Sequence, residues 1–381
     1  MKYSKLLAVV FTTAAAVVFS SVAGAATFQG LGDLPEGRYE SGAYGISADG
    51  STVVGYGYSA SSLYCEEAFR WTASSGMVSL GDLPGGNSAT NAKGASADGS
   101  VVVGFSGSST GPEAFRWTAS DGMVGLGDLP GNSIWSEAFG VSGDGSVVVG
   151  FSSSSLGCEA FRWTMSEGMV GLGILSDYSQ AFGVSADGSV IVGDSGNEAF
   201  RWTESGGMVS LGDLSGGDVK SVAYAASGDG SVIVGRSSSA LGTEAFRWTA
   251  NDGMVGLGVL SGGEFCSTAH GISSDGSVIV GESSSMLGVE AFLWTQITGM
   301  VSLSSLLGSA IPEGWRLFDA QDVAVNNNIA TIVGRGKSPS GYEAFIATVN
   351  LPLAPVVPEP GSFLALIVGG LGFVGFACRK R

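Results

Sequence analysis

The motif Glu-Ala-Phe-Arg-Trp-Thr combines a carboxylate, a guanidinium group and two aromatic rings, and it recurs along the chain. Five identical copies and two variants (EAFLWT and EAFIAT) begin at Glu67, Glu113, Glu159, Glu198, Glu244, Glu290 and Glu343. Carboxylates suit hard cations such as Ca²⁺, and paired carboxylates hydrolyse glycosidic bonds. An active site needs one unique cluster, however, so seven copies favour a structural unit.

Other catalytic residues are scarce. His270 is the only histidine, and its variable position in the repeat does not indicate a dedicated base or a His-based metal site. We align it with Tyr44, Lys93, Phe139, Phe182, Tyr224 and Val323. Glu313 and Asp319 are acids of a unique insertion, but nothing pairs them with a partner. We therefore predict that the protein is not an enzyme and needs no cofactor, with Ca²⁺ binding by the repeated acids as the alternative.

The elements that position these residues form a repeat of about 46 residues, with tryptophans at Trp71, Trp117, Trp163, Trp202, Trp248 and Trp294. Within one unit, residues 138–175, the segments AFGVSG, SVVVGFS, EAFRWTM and MVGLGIL predict four strands, which we name A, B, C and D. Asp-Gly between the first two segments predicts a hairpin turn. Each unit is therefore predicted to be a four-stranded antiparallel meander.

The number of strands predicts a closed ring. Residues 27–34 form a lone D strand, whereas the last unit has A, B and C strands but no D strand. The N-terminal D strand can complete that last unit, which leaves no free sheet edge. We predict an all-β, seven-bladed β-propeller over residues 27–350, with an open β-solenoid as the alternative.

Length variation is confined to one end of the predicted blades. The A–B and C–D turns, which define the turn face, barely change length, whereas the B–C loops and D–A connections, which define the loop face, do. Residues 308–321 are one such insertion. Because binding residues concentrate on loops held by rigid scaffolds, we predict ligand-binding aromatic residues on the loop face. The candidates are Tyr56, Tyr58, Tyr64, Trp135 and Trp315.

Side chains of the EAFRWT strand alternate between the two sheet faces. We predict that Phe and Trp form the core and that Ala makes room for bulk from the next blade. Glu and Arg need partners if they are buried. Either Glu pairs with Arg of the next blade, or Glu accepts backbone N–H groups at the B–C loop, and the sequence leaves both roles open.

Both ends of the chain carry targeting signals. Residues 1–25 have a basic start, an apolar segment and the small-residue site Ala23-Gly24-Ala25, which predict a secretory signal peptide. A Pro-rich linker, residues 351–360, precedes an apolar run and a basic end in residues 361–381. We expect this tail to be a marginal membrane span, with a simple C-terminal anchor as the alternative to a sorting signal.

The central part of the chain is acidic. Without the five cations of the terminal segments and Glu359, 12 cations and 33 acids remain, so its net charge is −21. This charge disfavours nucleic acid and anionic membrane surfaces as partners. Cys65, Cys158 and Cys266 show no CxxC spacing, and their spacing does not assign a disulfide.

The C-terminal segment resembles the PEP-CTERM sorting signal, in which a Pro-Glu-Pro motif, a short apolar helix and a basic tail follow one another. The matching residues are Pro358, Glu359 and Pro360, followed by Arg379, Lys380 and Arg381. The resemblance implies recognition by an exosortase-type processing enzyme in a Gram-negative bacterium that makes exopolysaccharide. It also implies that the tail enters the inner membrane transiently or permanently.

The repeat, with its Asp-Gly-Ser turn, Val-Val-Gly triplet, Gly-Met turn and Leu-Gly-Asp-Leu tetrad, resembles the HAF repeat family of extracellular bacterial proteins. Glu stands here at the position of that family's histidine, as at Glu67. The resemblance implies an exported repeat protein and supplies no catalytic residues.

These observations predict a secreted or cell-surface repeat protein that acts as a non-catalytic binding or scaffold module in the envelope or exopolysaccharide matrix. Its partner would be a polysaccharide or a matrix protein. The alternatives are a purely structural matrix component without a specific ligand and a carboxylate-dependent glycan hydrolase.

Overall fold

The computed structural model of the protein describes residues 26–59, 65–86, 89–131 and 134–352. This part of the chain is almost entirely β-structure and forms seven blades of four antiparallel strands. The fifth and sixth blades along the chain are joined by one parallel bridge between Thr243 and Cys266. The predicted seven-bladed propeller is confirmed. The predicted signal peptide, the Pro-rich linker after Pro352 and the C-terminal tail lie outside the described residues.

The strands follow the predicted A–B–C–D order. The chain begins with β1 (Thr27–Gly30). Blade 1 contains β2 (Ser41–Ile46), β3 (Thr52–Gly57), β4 (Glu67–Thr72) and β5 (Gly76–Ser79). Blade 2 contains β6 (Thr90–Ala95), β7 (Val101–Gly107), β8 (Pro112–Thr118) and β9 (Gly122–Gly125). Blade 3 contains β10 (Ser136–Val141), β11 (Val147–Ser154), β12 (Gly157–Thr164) and β13 (Gly168–Gly171). Blade 4 contains β14 (Ser179–Val184), β15 (Ile191–Ser195), β16 (Glu198–Thr203) and β17 (Gly207–Ser210).

The remaining blades have longer inner strands. Blade 5 contains β18 (Gly216–Ala226), β19 (Val232–Ser239), β20 (Gly242–Thr249) and β21 (Gly253–Gly256). Blade 6 contains β22 (Gly262–Ile272), β23 (Val278–Ser285), β24 (Gly288–Thr295) and β25 (Gly299–Ser302). After the helix α1 (Leu303–Leu307) and a 3-10 turn (Gly308–Ala310), blade 7 contains β26 (Arg316–Asn326), β27 (Ile329–Lys337) and β28 (Tyr342–Asn350).

The ring is closed by both ends of the described chain. β1 pairs with β28, with Thr27 opposite Thr348 and Gly30 opposite Phe345, so the N-terminal strand completes blade 7 as predicted. β2 of blade 1 packs against β26, β27 and β28 of blade 7. Because the first and last blades are in contact, the open solenoid alternative is wrong.

The Ala and Phe of the repeated motif form the interfaces between blades. Each Phe is fully buried and shares an apolar cluster with the Ala of the preceding blade. Such clusters join Ala68 with Phe115, Ala114 with Phe161, Ala160 with Phe200, Ala199 with Phe246, Ala245 with Phe292, Ala291 with Phe345 and Ala344 with Phe69. A small residue against a ring achieves interior packing density without a void. The last pair spans blades 7 and 1 and closes the ring again.

The Asp-Gly-Ser turns are fixed by side chains within each A–B turn. Asp98 Oδ1 accepts hydrogen bonds from Ser96 Oγ (2.8 Å) and from the backbone N–H of Ser100 (3.0 Å). These bonds, led by the backbone N–H of Ser100, lower the pKa of Asp98 to about 2. The turns also touch across blades, because the N–H of Ala97 donates to the carbonyl of Gly143 at 2.9 Å.

Each A strand contains a β-bulge at its middle. In blade 2, Ala92 pairs with Gly104 and Gly94 with Val103, so Lys93 is the extra residue. The bulge brings the Asn91 carbonyl close to Gly104, where an added Cβ would lie 1.8 Å from that oxygen. This contact explains the glycine that ends every Val/Ile-Val-Gly triplet.

Blade 7 differs from the sequence-based alignment in one respect. Its A strand, β26, begins at Arg316, within the predicted insertion, and its bulge lies between Ala320 and Asp322. Gln321 therefore occupies the position of His270, and the alignment of His270 with Val323 is wrong. The sequence-based alignment of blade 7 was shifted because the last residues of the predicted insertion belong to strand β26.

Candidate functional site

The seven bulge residues line a central channel, and we call them the channel ring. All of them are half-buried and border one cavity of about 210 Å³. A bulge re-aims a side chain out of the ordinary alternation of a strand, which places these residues on the axis of the propeller. The channel ring consists of Tyr44, Lys93, Phe139, Phe182, Tyr224, His270 and Gln321.

A second set of residues, the outer ring, follows the Val/Ile-Val-Gly glycine in each B strand. Tyr56 of this set lies 6.4 Å from Tyr58, and Arg38, in the connection before β2, stacks on Tyr58 at 4.0 Å. The outer ring therefore continues the channel toward the loop face. It consists of Tyr56, Phe105, Phe151, Asp194, Arg236, Glu282 and Arg335. Together the two rings form the channel mouth.

One sector of the channel mouth is aromatic. The ring centroids of Phe139 and Phe182 are 5.2 Å apart, and those of Phe139 and Phe151 are 5.8 Å apart. Trp135 packs edge-on against Phe151 at 5.6 Å, and its Nε1 donates to Glu137 at 3.0 Å. Aromatic faces of this kind bind apolar surfaces such as the C–H face of a sugar or an apolar side chain.

The opposite sector carries paired charges. Arg335 lies 3.5 Å from Asp319 and donates to the Tyr56 hydroxyl at 3.4 Å. His270 Nε2 lies 3.9 Å from Glu282 Oε1. Burial raises the pKa of Asp319, and Arg335 acts in the opposite direction. This sector therefore offers both hydrogen-bond donors and acceptors.

Lys93 stands between the two sectors. Its Nζ lies 3.7 Å from the centre of the Tyr44 ring and 5.8 Å from the centre of the Phe105 ring. Burial lowers the pKa of Lys93 to about 8, although Glu137 and Glu66 favour the charged form. A cation over aromatic faces in a narrow channel is a specific recognition element.

Three buried polar atoms at or beside the channel mouth, two in the mouth itself and one on Asn91, which pairs with Phe105 of the outer ring, have no partner among the described residues. They are Asn91 Oδ1, Asp194 Oδ1 and Arg335 Nε, all buried. Asn91 and Asp194 are 1 % and 5 % exposed. Since buried polar groups are normally hydrogen-bonded to protein, water or ligand, these atoms mark places where a bound group can be accepted.

The sequence-predicted aromatic residues have different positions. Tyr56 belongs to the outer ring, and Tyr58 and Trp135 extend it toward the loop face. Trp315 lies apart from them, because its ring packs edge-on against Phe28 at 4.9 Å and joins the core of blades 6 and 7. Tyr64 lies outside the described residues. Their binding role stays a prediction.

Sequence reasoning missed most of the channel mouth, including Lys93, Asp194 and Arg335. A signal was present in the sequence, because the residue after each Val/Ile-Val-Gly triplet and the residue aligned with His270 change from unit to unit. Their shared location depends on the bulge, which shifts the alternation of side chains.

The repeated Glu binds the D–A connection of its own blade. The backbone N–H groups of Gly127, Gly173 and Gly258 donate to Glu113, Glu159 and Glu244 at 2.9–3.0 Å. Glu198 instead accepts from the Ser210 hydroxyl at 2.5 Å. Glu290 accepts from the hydroxyl groups of Ser302 in its D strand and of Ser285 at the end of its B strand. Among the described residues, the repeated Glu therefore pairs neither with Arg of the next blade nor with a backbone N–H of the B–C loop. The described residues contain no group of three or more His, Cys, Asp or Glu that could hold a metal ion.

Cys158 and Cys266 form no disulfide in the structure. Among the described residues there is no helix with the length and apolarity needed to span a membrane. The apolar run of the C-terminal tail lies beyond that part of the chain.

Comparison with known proteins identifies one segment. Residues 356–381 match the family model described as the PEP-CTERM protein-sorting motif. The match indicates an exported protein that is directed to the cell envelope and processed by exosortase. No curated protein matches the chain.

Among solved structures, the chain is similar to TolB from Acinetobacter baumannii, with 14 % identity and a TM-score of 0.40 over 64 % of this chain and 61 % of that protein. It is also similar to a putative TolB from Agrobacterium tumefaciens, with 14 % identity and a TM-score of 0.41 over 82 % and 90 % of the two chains. At this level of similarity, the fold assignment depends on the sheet order and blade interfaces of the chain itself.

Proposed function

We propose that this exported protein is a non-catalytic binding module that binds its partner at the channel mouth, in the cell envelope or the exopolysaccharide matrix. The observation that carries this proposal is that each blade contributes different side chains to the two rings, whereas the surrounding framework is repeated. Variation at two fixed positions of a repeated scaffold is typical of a surface that binds one specific partner.

The geometry restricts the part of the partner that enters the channel. Small-molecule pockets usually measure about 300–1,000 Å³, whereas this cavity measures about 210 Å³. The channel therefore fits an end group or a single side chain of a larger partner. An aromatic sector beside a charged sector suits a group with one apolar face and several hydrogen-bonding atoms, such as a terminal sugar of a glycan.

The ends of the described chain leave the loop face free. Thr27 is paired with Thr348 at the turn face, and the N–H of Leu351 donates to Asn328 in the A–B turn of blade 7 at 2.9 Å. The sorting tail is therefore attached at the end of the propeller opposite the channel mouth.

The resemblance to the HAF repeat family supports the same proposal through the order of its motifs. It suggests a protein of the extracellular matrix of a Gram-negative bacterium, with the C-terminal tail in the inner membrane before processing. Polysaccharide or matrix protein is the partner class that this location supplies.

The test is binding of the mature protein to an immobilised array of bacterial oligosaccharides and to matrix polysaccharide, measured for wild type and two variants. We expect Lys93→Met to weaken binding at least tenfold, because it removes the only lysine of the channel ring without shortening the side chain. Ile297→Ser, a change of an exposed residue in the C–D turn of blade 6 on the turn face, is the control and should bind like wild type. Equal binding by wild type and Lys93→Met would exclude the channel mouth as the site.

A further inference from the structure

We infer that the turn face carries a second binding surface, a row of grooves between blades 2 and 5 that takes a strand of neutral polysaccharide. This inference concerns the opposite end of the propeller and does not depend on the channel mouth. It concerns the Arg and Trp of the repeated motif in these blades, which are only partly buried and line these grooves.

The grooves lie between neighbouring blades and share one set of lining residues. Each is bordered by Arg of one blade, the Asp-Gly-Ser turn of the next, and Arg and Trp of that next blade. Their volumes are about 610 Å³ between blades 2 and 3, 470 Å³ between blades 3 and 4, and 630 Å³ between blades 4 and 5. These volumes fall within the range of about 300–1,000 Å³ typical of ligand sites.

The Trp side chains are placed differently from the Phe side chains of the same motif. Phe200 is fully buried, whereas Trp202, two residues later, is only half-buried and lines the groove between blades 3 and 4. Trp163 and Trp248 hold the same position in the other two grooves. The prediction that Phe and Trp both belong to the core is therefore confirmed for Phe, whereas Trp is only partly buried. None of these three indole N–H groups donates to a residue that the structure describes.

Arg70 and Arg116 donate to the Asp-Gly-Ser turn of the next blade, at the carbonyls of Gly99 and Gly145, but the fold does not keep Arg in every blade. In blades 6 and 7, the position opposite the Val that precedes the recurring Gly of the B strand is occupied by Leu293 and Ile346 instead of Arg. Blade 7 also has Ala347 at the Trp position. The fold thus tolerates the loss of both groups, and their retention together in blades 1 to 5 indicates another use.

Arg201 is the best placed of the guanidinium groups. It borders the grooves on both sides of blade 4, and it makes no hydrogen bond or ion pair with any residue in the described ranges. Arg162, by contrast, pairs with Glu167 at 2.7 Å in its C–D turn. Arg201 lacks that partner because its own turn has Gly206 at the position of Glu167.

The chemistry of the grooves matches sugar rings. An indole face packs on the apolar C–H face of a sugar. Arg and indole N–H groups are donors only, whereas Thr249, Asn251 and Asp252 at the edge of the largest groove supply acceptors. Hydroxyl groups both donate and accept, so a polyhydroxylated ligand satisfies both kinds of group. The net charge of −21 in this part of the chain disfavours a polyanion.

The repetition of the grooves indicates a repeating ligand. Equivalent sites in consecutive blades bind consecutive segments of one strand, and linked sites increase the overall affinity without any new contact. A single oligosaccharide unit should therefore bind weakly, and affinity should rise with chain length until the strand spans the row.

The experiment is a titration of the mature protein with neutral gluco-, manno- and galacto-oligosaccharides of two to eight units, followed by tryptophan fluorescence and calorimetry. We expect Kd to fall at least tenfold between the shortest and longest chains of the sugar that binds. Arg201→Leu and Trp202→Ala, which copy residues found in blades 6 and 7, should each raise Kd of the longest chain about tenfold without unfolding the protein.

Trp294→Ala is the matched control, because the groove beside Trp294 has Leu293 in place of one Arg; it should bind like wild type. Binding that is independent of chain length, unchanged by Arg201→Leu and Trp202→Ala, or absent for every sugar would overturn the inference. Stronger binding of uronic acid oligomers, abolished by salt, would overturn the assignment of a neutral ligand.

Discussion

The loop face and the turn face of the propeller are built on the same seven blades but differ in how their side chains vary. At the channel mouth, equivalent positions hold Tyr, Lys, Phe, His and Gln, so no two sectors of the rings are alike. On the turn face, blades 1 to 5 present the same Arg at the same register position. A varied ring suits one asymmetric partner, whereas a repeated row suits a repeating one.

The difference also teaches how repetition should be interpreted. A residue repeated in every blade, such as the buried Phe, is explained by packing, because each interface needs the same ring against the same Ala. A residue repeated in only some blades, such as Arg, is not required by the fold. Comparing blades with and without this residue therefore distinguishes a role in packing from a role in binding.

The largest expected effect comes from comparing the buried Phe and the groove-lining Trp of one repeated motif. Phe200→Ala should lower the free energy of unfolding by about 3–5 kcal/mol, because it opens a cavity at a fully buried interface. Trp202→Ala should cost less than Phe200→Ala, because its ring is only partly buried. Chemical unfolding of the two variants measures both. Similar losses for both would mean that Trp is packing and not a groove residue.

A second prediction concerns blade 7, where the repeat is least regular. Asp322 is half-buried at the position where most other blades have Gly, and it accepts from the N–H of Ile46 in blade 1 at 3.0 Å. Burial raises its pKa from 3.8 to about 6. The folded state therefore keeps a proton that the unfolded state loses, and stability falls as pH rises between these two values.

Asp322→Asn should remove this dependence and raise the free energy of unfolding at pH 7 by roughly 1–3 kcal/mol. Unfolding curves of both proteins at pH 4 and pH 7 provide the measurement. A variant that is less stable at pH 7 would show instead that the ionised carboxylate holds blade 1 against blade 7.

The smallest effect is expected in the turns of the turn face. The hydrogen bonds that lower the pKa of Asp98 to about 2 stabilise the folded state above pH 3.8, and this contribution is lost as pH falls toward 2. Because Asp98 is largely exposed to solvent screening, Asp98→Asn should cost less than about 1 kcal/mol at pH 7. Thermal unfolding at pH 7 and pH 2.5 would show the difference between variant and wild type shrinking at the lower pH.

Much of the fold was predictable because its signals are local. Asp-Gly-Ser marks the A–B turns, alternating β-branched residues mark the B strands, and the count of D strands predicted that β1 completes blade 7. The alignment of blade 7 was not predictable in detail, because an insertion that continues into β26 cannot be distinguished from a loop by residue type. Gln321 rather than Val323 therefore stands in the channel.

The candidate sites were less accessible to sequence reasoning. Tyr56 and Trp135 were predicted as binding residues from their place in varied loops, whereas Trp315 packs against Phe28. Lys93 was aligned with the other channel residues, yet nothing in its sequence neighbourhood placed it above the Tyr44 ring. That contact arises between two blades.

The sequence by itself determined the strand order, the number of blades and the repeated pairing of Ala with Phe, because these follow from alternation, turn residues and spacing within about 46 residues. Only the tertiary structure decided which side chains enter the channel, which backbone groups the repeated Glu binds and where two Arg flank one Trp. The first depends on a bulge that shifts the alternation, the second on the path of the D–A connection, and the third on blades that meet only when the ring closes.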